Sequence, residues 1–291
     1  MTMFKTLITC AELRDLQTAG APLLMMDCTA DLQNPAAGRQ QFLAQHIPGA
    51  QHADLDRDLS AHNAVHAASG GRHPLPEREV FAQWLRRMGL RPEMQVVVYD
   101  RNGQNFCGRL WWMLKWAGHD AAAVLDGGLS AWAAAVLPMA SGEPGETAPS
   151  DWTLGAPLRE LVKVDEVLAN LHSANQTLVD ARARPRYLGE VEPLDPLAGH
   201  IPGALNRPFG LNLDSQGLFK PAQLLRAEFD ALLDGRDPAS VVHQCGSGVS
   251  ALPNMLAMEI AGYQATRLFA GSWSEWCRDP SRPVARAGQG L

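Results

Sequence analysis

Short apolar runs of four or five residues, each closed by a polar residue or a cysteine, punctuate the chain: Leu23-Leu-Met-Met-Asp27, Val96-Val-Val-Tyr-Asp100, Thr177-Leu-Val-Asp180 and Val241-Val-His-Gln-Cys245. They do not alternate apolar with polar, which suits strands covered on both faces of a parallel sheet. Between them, residues 79–88, 106–117, 222–233 and 252–261 carry apolar positions at helical spacing. Strand and helix alternating in this way predict an open, mainly parallel α/β sheet with right-handed crossovers. In such sheets ligands sit beyond the carboxyl ends of the strands, where Asp100 and Cys245 fall.

The pattern occurs twice. Leu23-Leu-Met-Met-Asp27 returns as Thr177-Leu-Val-Asp180, His46-Ile-Pro-Gly-Ala50 as His200-Ile-Pro-Gly-Ala204, Val96-Val-Val-Tyr-Asp100 as Val241-Val-His-Gln-Cys245, and Asp126-Gly-Gly-Leu-Ser-Ala-Trp132 as Ala270-Gly-Ser-Trp-Ser-Glu-Trp276. Four pairs in one order, about 150 residues apart, predict a duplicated domain. The Pro-, Gly-, Ser- and Thr-rich stretch around residues 137–150 lacks periodicity and reads as an extended connection. The expected division is a first domain at 1–138, a linker at 139–157 and a second domain at 158–291.

Composition narrows the function classes. The 291 residues carry a net charge of -6 with no basic run, which gives no footing for nucleic acid. The five cysteines are scattered and odd in number, with no Cys-x-x-Cys pair, so neither a disulfide framework nor a zinc site is expected. Lys5 precedes only a short apolar patch interrupted by Glu12, Arg14 and Asp15, unlike a signal peptide, and the Ala-rich stretch at 117–140 holds too many charges and glycines to span a bilayer. A cytoplasmic protein without a membrane partner is the expectation. His62, His66 and His73 share an irregular region that also holds two adjacent glycines, but their spacing matches no ligand pattern, so no metal or other cofactor is expected.

Cys245 is the candidate nucleophile. It ends a buried strand and enters Gly246-Ser-Gly-Val-Ser250, and Pro253, at home only in a first helical turn, dates a helix start to about Ser250. Backbone N–H groups and the positive dipole end at a helix N-terminus favour a thiolate. Gly246 and Gly248 tolerate the positive φ that lets successive amides curl round one point. Asp100 holds the equivalent position in the first half, so only the second has a nucleophile. Cys10, Cys28, Cys107 and Cys277 lack this setting and read as packing residues, as do Trp273 and Trp276, whose other reading is a pocket wall.

The duplicated halves, the repeated His-Ile-Pro-Gly-Ala, Asp180-Ala-Arg182 with Arg186-Tyr-Leu-Gly189 downstream, and Cys245-Gly-Ser-Gly-Val-Ser250 together resemble the tandem-domain rhodaneses, over nearly the whole chain. The resemblance implies two small parallel sheets flanked by helices, and sulfur transfer through a Cys245 persulfide to a thiol such as thioredoxin or a small thiol, or to cyanide. Thiosulfate-using members carry two basic residues after the cysteine, whereas mercaptopyruvate-using members have Gly-Ser, as Gly246-Ser247 here. The donor implied is therefore 3-mercaptopyruvate, with thiosulfate as the alternative. Arg186 would clamp the substrate carboxylate, with Gly246, Gly248, Val249 and Ser250 lining the loop; the family usually has Thr at the last position. A second arginine usual in the following Glu-Pro-x-Pro stretch is missing from Glu190-Val-Glu-Pro-Leu-Asp195-Pro, and Arg184 is the nearest substitute. The family's Ser-His-Asp relay maps onto Ser247, His73 and Asp56, the last two from the first half of the chain. Asp180 and Arg182 read as a structural ion pair. A cysteine-dependent phosphatase would need an arginine six residues after the nucleophile, where Ala251 stands. A non-catalytic binding module is disfavoured by the intact Cys245 loop.

Overall fold

Every one of the four apolar runs forms a strand. The computed structural model describes residues 3–286. In chain order the first half contains β1 (Leu7–Ile8), α1 (Cys10–Thr18), β2 (Leu23–Asp27), α2 (Ala37–Ala44), β3 (Ala50–His52), α3 (Arg78–Arg87), β4 (Gln95–Tyr99), α4 (Cys107–Trp116), β5 (Ala122–Leu125) and α5 (Gly128–Ala134). The second contains α6 (Val164–Ala169), β6 (Thr177–Asp180), α7 (Arg184–Leu188), β7 (Leu205–Asn206), α8 (Ala222–Leu233), β8 (Val241–Gln244), α9 (Leu252–Ile260), β9 (Arg267–Leu268) and α10 (Ser272–Trp276). The helices expected from periodicity appear within a residue of their predicted ends. Others escape that reading: α1, with its Thr9–Glu12 capping box, buries only Leu13 and so shows no apolar repeat.

Both sheets are parallel. The first runs β1-β5-β4-β2-β3, the second β7-β6-β8-β9. In each, the strand order reverses between β2 and β4, or between β6 and β8, and the loop after β4 or β8 opens at that switch point, where α/β sheets place ligands. Val96, Val97, Val98 and Tyr99 are fully buried, each aliphatic side chain contributing about 1.5–3 kcal/mol. Helices on both sheet faces exclude water, which is why these runs are continuous rather than alternating.

The repeated His-Ile-Pro-Gly-Ala forms the same turn twice. Ala50 N–H donates to Ile47 O at 3.0 Å and Ala204 N–H to Ile201 O at 3.1 Å. Proline at the second position and a left-handed glycine at the third (Gly49 φ +82, Gly203 φ +78) satisfy a type II turn. His46 stacks on Phe42 and His200 on Tyr187, so the histidine anchors the turn to the preceding helix in both halves.

The chain separates into two compact units. One comprises residues up to His66, Pro76–Leu158 and Ser215–Phe219; the other comprises Ala67–Leu75, Arg159–Asp214 and the chain from Lys220 on. The Ala67–Leu75 segment thus packs with the second unit although it lies in the first half of the sequence. Residues 139–157 have little regular structure. They are pinned to the first unit where Ala140 bridges His46, Ser150 N–H donates to Arg86 O and Gly155 N–H to Ala117 O. No helix among the described residues is long and apolar enough to cross a membrane.

Candidate active site

Cys245 leaves β8 directly and is 2% exposed. Its loop is braced by the start of α10: Cys245 N–H donates to Ser272 Oγ at 3.1 Å, Trp273 N–H to Cys245 O at 3.0 Å and Ser274 N–H to Gly246 O at 2.8 Å. Gly248 has φ +72, and a Cβ there would stand 2.3 Å from Ala270 O, so no side chain fits. The loop runs into α9 at Leu252, with Pro253 in the first turn as the sequence requires.

The first unit shows what such a loop holds. Asp100 follows β4, and its carboxylate accepts N–H bonds from Asn102, Gln104, Phe106 and Cys107 at 2.8–2.9 Å. Gly103 (φ +68) stands where the second loop has Gly248. Four amides therefore converge on a buried anionic group. Burial pushes the Asp100 carboxyl above its ordinary pKa despite those donors.

Beside the cysteine loop lie two guanidinium groups. A Cβ placed on Gly246 would be 3.2 Å from Arg72 Nη2 and 3.4 Å from Arg186 Nη1. Arg186, on α7, donates from Nη2 to Glu192 Oε1 at 2.7 Å and to Asp195 Oδ2 at 3.3 Å. Arg72 Nη1 donates to Asp195 Oδ1 at 2.5 Å. Both carboxylates are nearly buried, at 3% and 4% side-chain exposure. Burial pushes both carboxyls up. For Glu192 the Arg186 bonds and the Leu194 and Asp195 N–H donors outweigh it, and the pKa falls below the usual range. For Asp195 burial prevails over Arg72, and the pKa rises.

Arg72, Glu192 and Asp195 were not among the residues expected here. Arg72 escapes a linear reading because its partners lie far along the chain; only its place beside Gly70-Gly71, which permits close backbone approach, and His73 hints at it. His73 is brought to the loop, its Nδ1 sharing a 2.7 Å hydrogen bond with Ser247 Oγ, and both are buried. Asp56 lies in the first unit, 3.3 Å from His62 Nε2. Arg184 is exposed at the start of α7. Val249 is buried and Ser250 half-buried in the loop itself. Arg182 forks onto Asp180 (Nη2 to Oδ2 2.7 Å), lies 4.8 Å over the Trp273 ring and donates to Gly199 O, tying β6 to α10. Trp273 and Trp276 are fully buried in the core.

A cysteine at a strand end, in a glycine loop ahead of a helix and with two guanidinium groups beside it, has the surroundings expected of a thiol nucleophile. The chain belongs to the rhodanese family: the model described as "Rhodanese-like domain" matches it twice, at residues 9–135 and 163–279. It is 47% identical to a probable 3-mercaptopyruvate sulfurtransferase of Pseudomonas aeruginosa, over 90% of this chain and 92% of that one. It is 39% identical to a putative thiosulfate sulfurtransferase of Mycobacterium tuberculosis, covering 97% of each. Among solved structures it resembles 3-mercaptopyruvate sulfurtransferase from Leishmania major, with a TM-score of 0.79 and 31% identity over 93% of this chain and 73% of that one.

Proposed function

We propose that this protein is a sulfurtransferase that takes sulfur from 3-mercaptopyruvate and passes it to a thiol, such as thioredoxin or a small thiol, or to cyanide. The observation that carries the reading is the neutral Gly246-Ser247 loop start beside guanidinium groups already balanced by Glu192 and Asp195. A monoanionic keto acid suits that balance better than dianionic thiosulfate, whose leaving sulfite calls for extra cations. In the first step Cys245 Sγ, as thiolate, bonds to the donor sulfur; the C–S bond breaks, its electron pair goes to carbon as pyruvate enolate, and a proton completes pyruvate. The acceptor then attacks the outer sulfur of the Cys245 persulfide and regenerates the thiolate, giving ping-pong kinetics. Loop amides stabilise the anionic sulfur as the amides after Asp100 hold its carboxylate. None of the five cysteines is in a disulfide, in keeping with a reducing, cytoplasmic setting.

The name of the Mycobacterium tuberculosis relative favours the thiosulfate reading. Pyruvate release from 3-mercaptopyruvate, measured beside sulfite release from thiosulfate, decides between them; faster sulfite release would overturn the proposal.

Ser247 and His73 serve as a proton relay to the enolate in this reading, supported by their 2.7 Å separation. His73→Ala is expected to lower turnover by about 10²-fold and to flatten its pH profile. Unchanged turnover across pH would remove the relay.

A further inference from the structure

We propose that Arg72 is the second carboxylate-binding residue of this site, working with Arg186 and held in place by Asp195. The inference rests on the keto-acid donor proposed above. The stretch after Arg186, Glu190-Val-Glu-Pro-Leu-Asp195-Pro, contains acids and no arginine, yet two guanidinium groups converge on Gly246, the neighbour of the nucleophile. One comes from α7 and the other from the Ala67–Leu75 segment, which packs with the second unit.

That segment is seated by close backbone contacts. Arg72 N–H donates to Ser274 Oγ at 2.9 Å. Gly71 (φ +91) is so close to α10 that a Cβ would stand 2.6 Å from Gly271 O, and a Cβ on Gly70 would meet Glu275 Oε1 at 2.4 Å. Two adjacent glycines are thus what lets Arg72 reach the loop. Asp195 fixes both guanidinium groups at once, receiving Arg72 Nη1 on Oδ1 and Arg186 Nη2 on Oδ2. This leaves Arg72 Nη2 and Arg186 Nη1 3.2 and 3.4 Å from where a Cβ on Gly246 would stand, so both face the same space beside the nucleophile, as two donors to one carboxylate must. Asp195 also limits the charge the pocket accepts. Two carboxylates neutralise two arginines before any substrate arrives, so a dianion adds more uncompensated charge than a monoanion.

The test is steady-state kinetics of Arg72→Ala, Arg72→Lys and Arg184→Ala with 3-mercaptopyruvate, and inhibition by pyruvate. Arg72→Ala is expected to raise KM about 10- to 100-fold, with kcat changed much less, and to weaken pyruvate inhibition in proportion. Arg72→Lys keeps a charge and the backbone contacts but loses the fork, and its KM is expected between the two, which separates binding from misfolding. If the wild type releases pyruvate and Arg72→Ala leaves KM and inhibition unchanged, or if Arg184→Ala shows the rise instead, the assignment of Arg72 is overturned while the donor stands. If the wild type does not turn over 3-mercaptopyruvate but binds pyruvate, and Arg72→Ala loses that binding, the donor reading falls and the carboxylate site stands.

Discussion

Cys245→Asp is expected to abolish sulfur transfer by at least about 10⁴-fold and yet to leave a cooperatively folded protein. Chemistry fixes the first part: a carboxylate has no sulfur to make a persulfide, so mass spectrometry after donor treatment should show no added sulfur on the peptide containing residue 245. The second part comes from the protein's other half. Asp100 stands at the same point of the same loop and satisfies four N–H groups. A carboxylate at 245 is expected to find the equivalent amides of Ser247, Val249 and Ala251, and to compete with Val249 O for the Leu252 N–H, which donates to that carbonyl at 3.1 Å. Burial raises the Asp100 pKa, so the amides do not fully offset the loss of water, and the variant should melt below the wild type but in one transition. A Cys245→Ser variant separates the two claims. If serine gives a wild-type melt while aspartate unfolds the protein, the second loop does not gather its amides as the first does; if either variant retains transfer, Cys245 is not the sulfur carrier.

The duplication that supplies this comparison was legible in the sequence, because two copies of one fold must spend similar residues on similar physics. A type II turn needs Gly or Asn at its third position and favours Pro before it, a doubly covered strand needs an unbroken apolar run, and both survive divergence of the rest. Cys245 was legible for the same reason: a strand, a glycine loop and a helix start are local features. The guanidinium pair was not. Arg72 meets Asp195 across 123 positions and His73 meets Ser247 across 174, contacts that no periodicity records. Only a family motif marks His73, and the arginine nearest in sequence to the gap in Glu190-Val-Glu-Pro-Leu-Asp195-Pro is Arg184, whereas the geometry places Arg72 beside Gly246. Nor does the chain's division at residue 139 reveal that Ala67–Leu75 packs with the later unit. Local sequence specifies the strand, glycine loop and helix start around Cys245, whereas the guanidinium groups beside that loop come from wherever the packed backbone allows close approach.

The two halves also differ in a way that bears on stability. His243→Val is expected to remove much of the protein's acid sensitivity. His243 lies two residues before Cys245 on β8; Val98 holds the matching place on β4, and both are fully buried. Neither ring nitrogen of His243 has a hydrogen-bond partner. Burial, aided by the positive charge of Arg207, lowers its pKa to about 3. In the unfolded chain a histidine titrates near 6.5. Between those values the unfolded chain binds a proton that the folded state refuses, so stability is lost as pH falls from 6.5 toward 3, by roughly 5 kcal/mol at most. Valine cannot titrate, and it also removes two unsatisfied nitrogens, each costing about 1–3 kcal/mol, against a smaller loss from the reduced side-chain volume. Urea unfolding should therefore show the variant at least as stable as the wild type near neutrality and further ahead at about pH 5, by about 2 kcal/mol more. His119 and His200, whose pKa values burial also lowers, leave a residual slope in both proteins. Equal slopes for variant and wild type would mean that the His243 ring is not held neutral in the core.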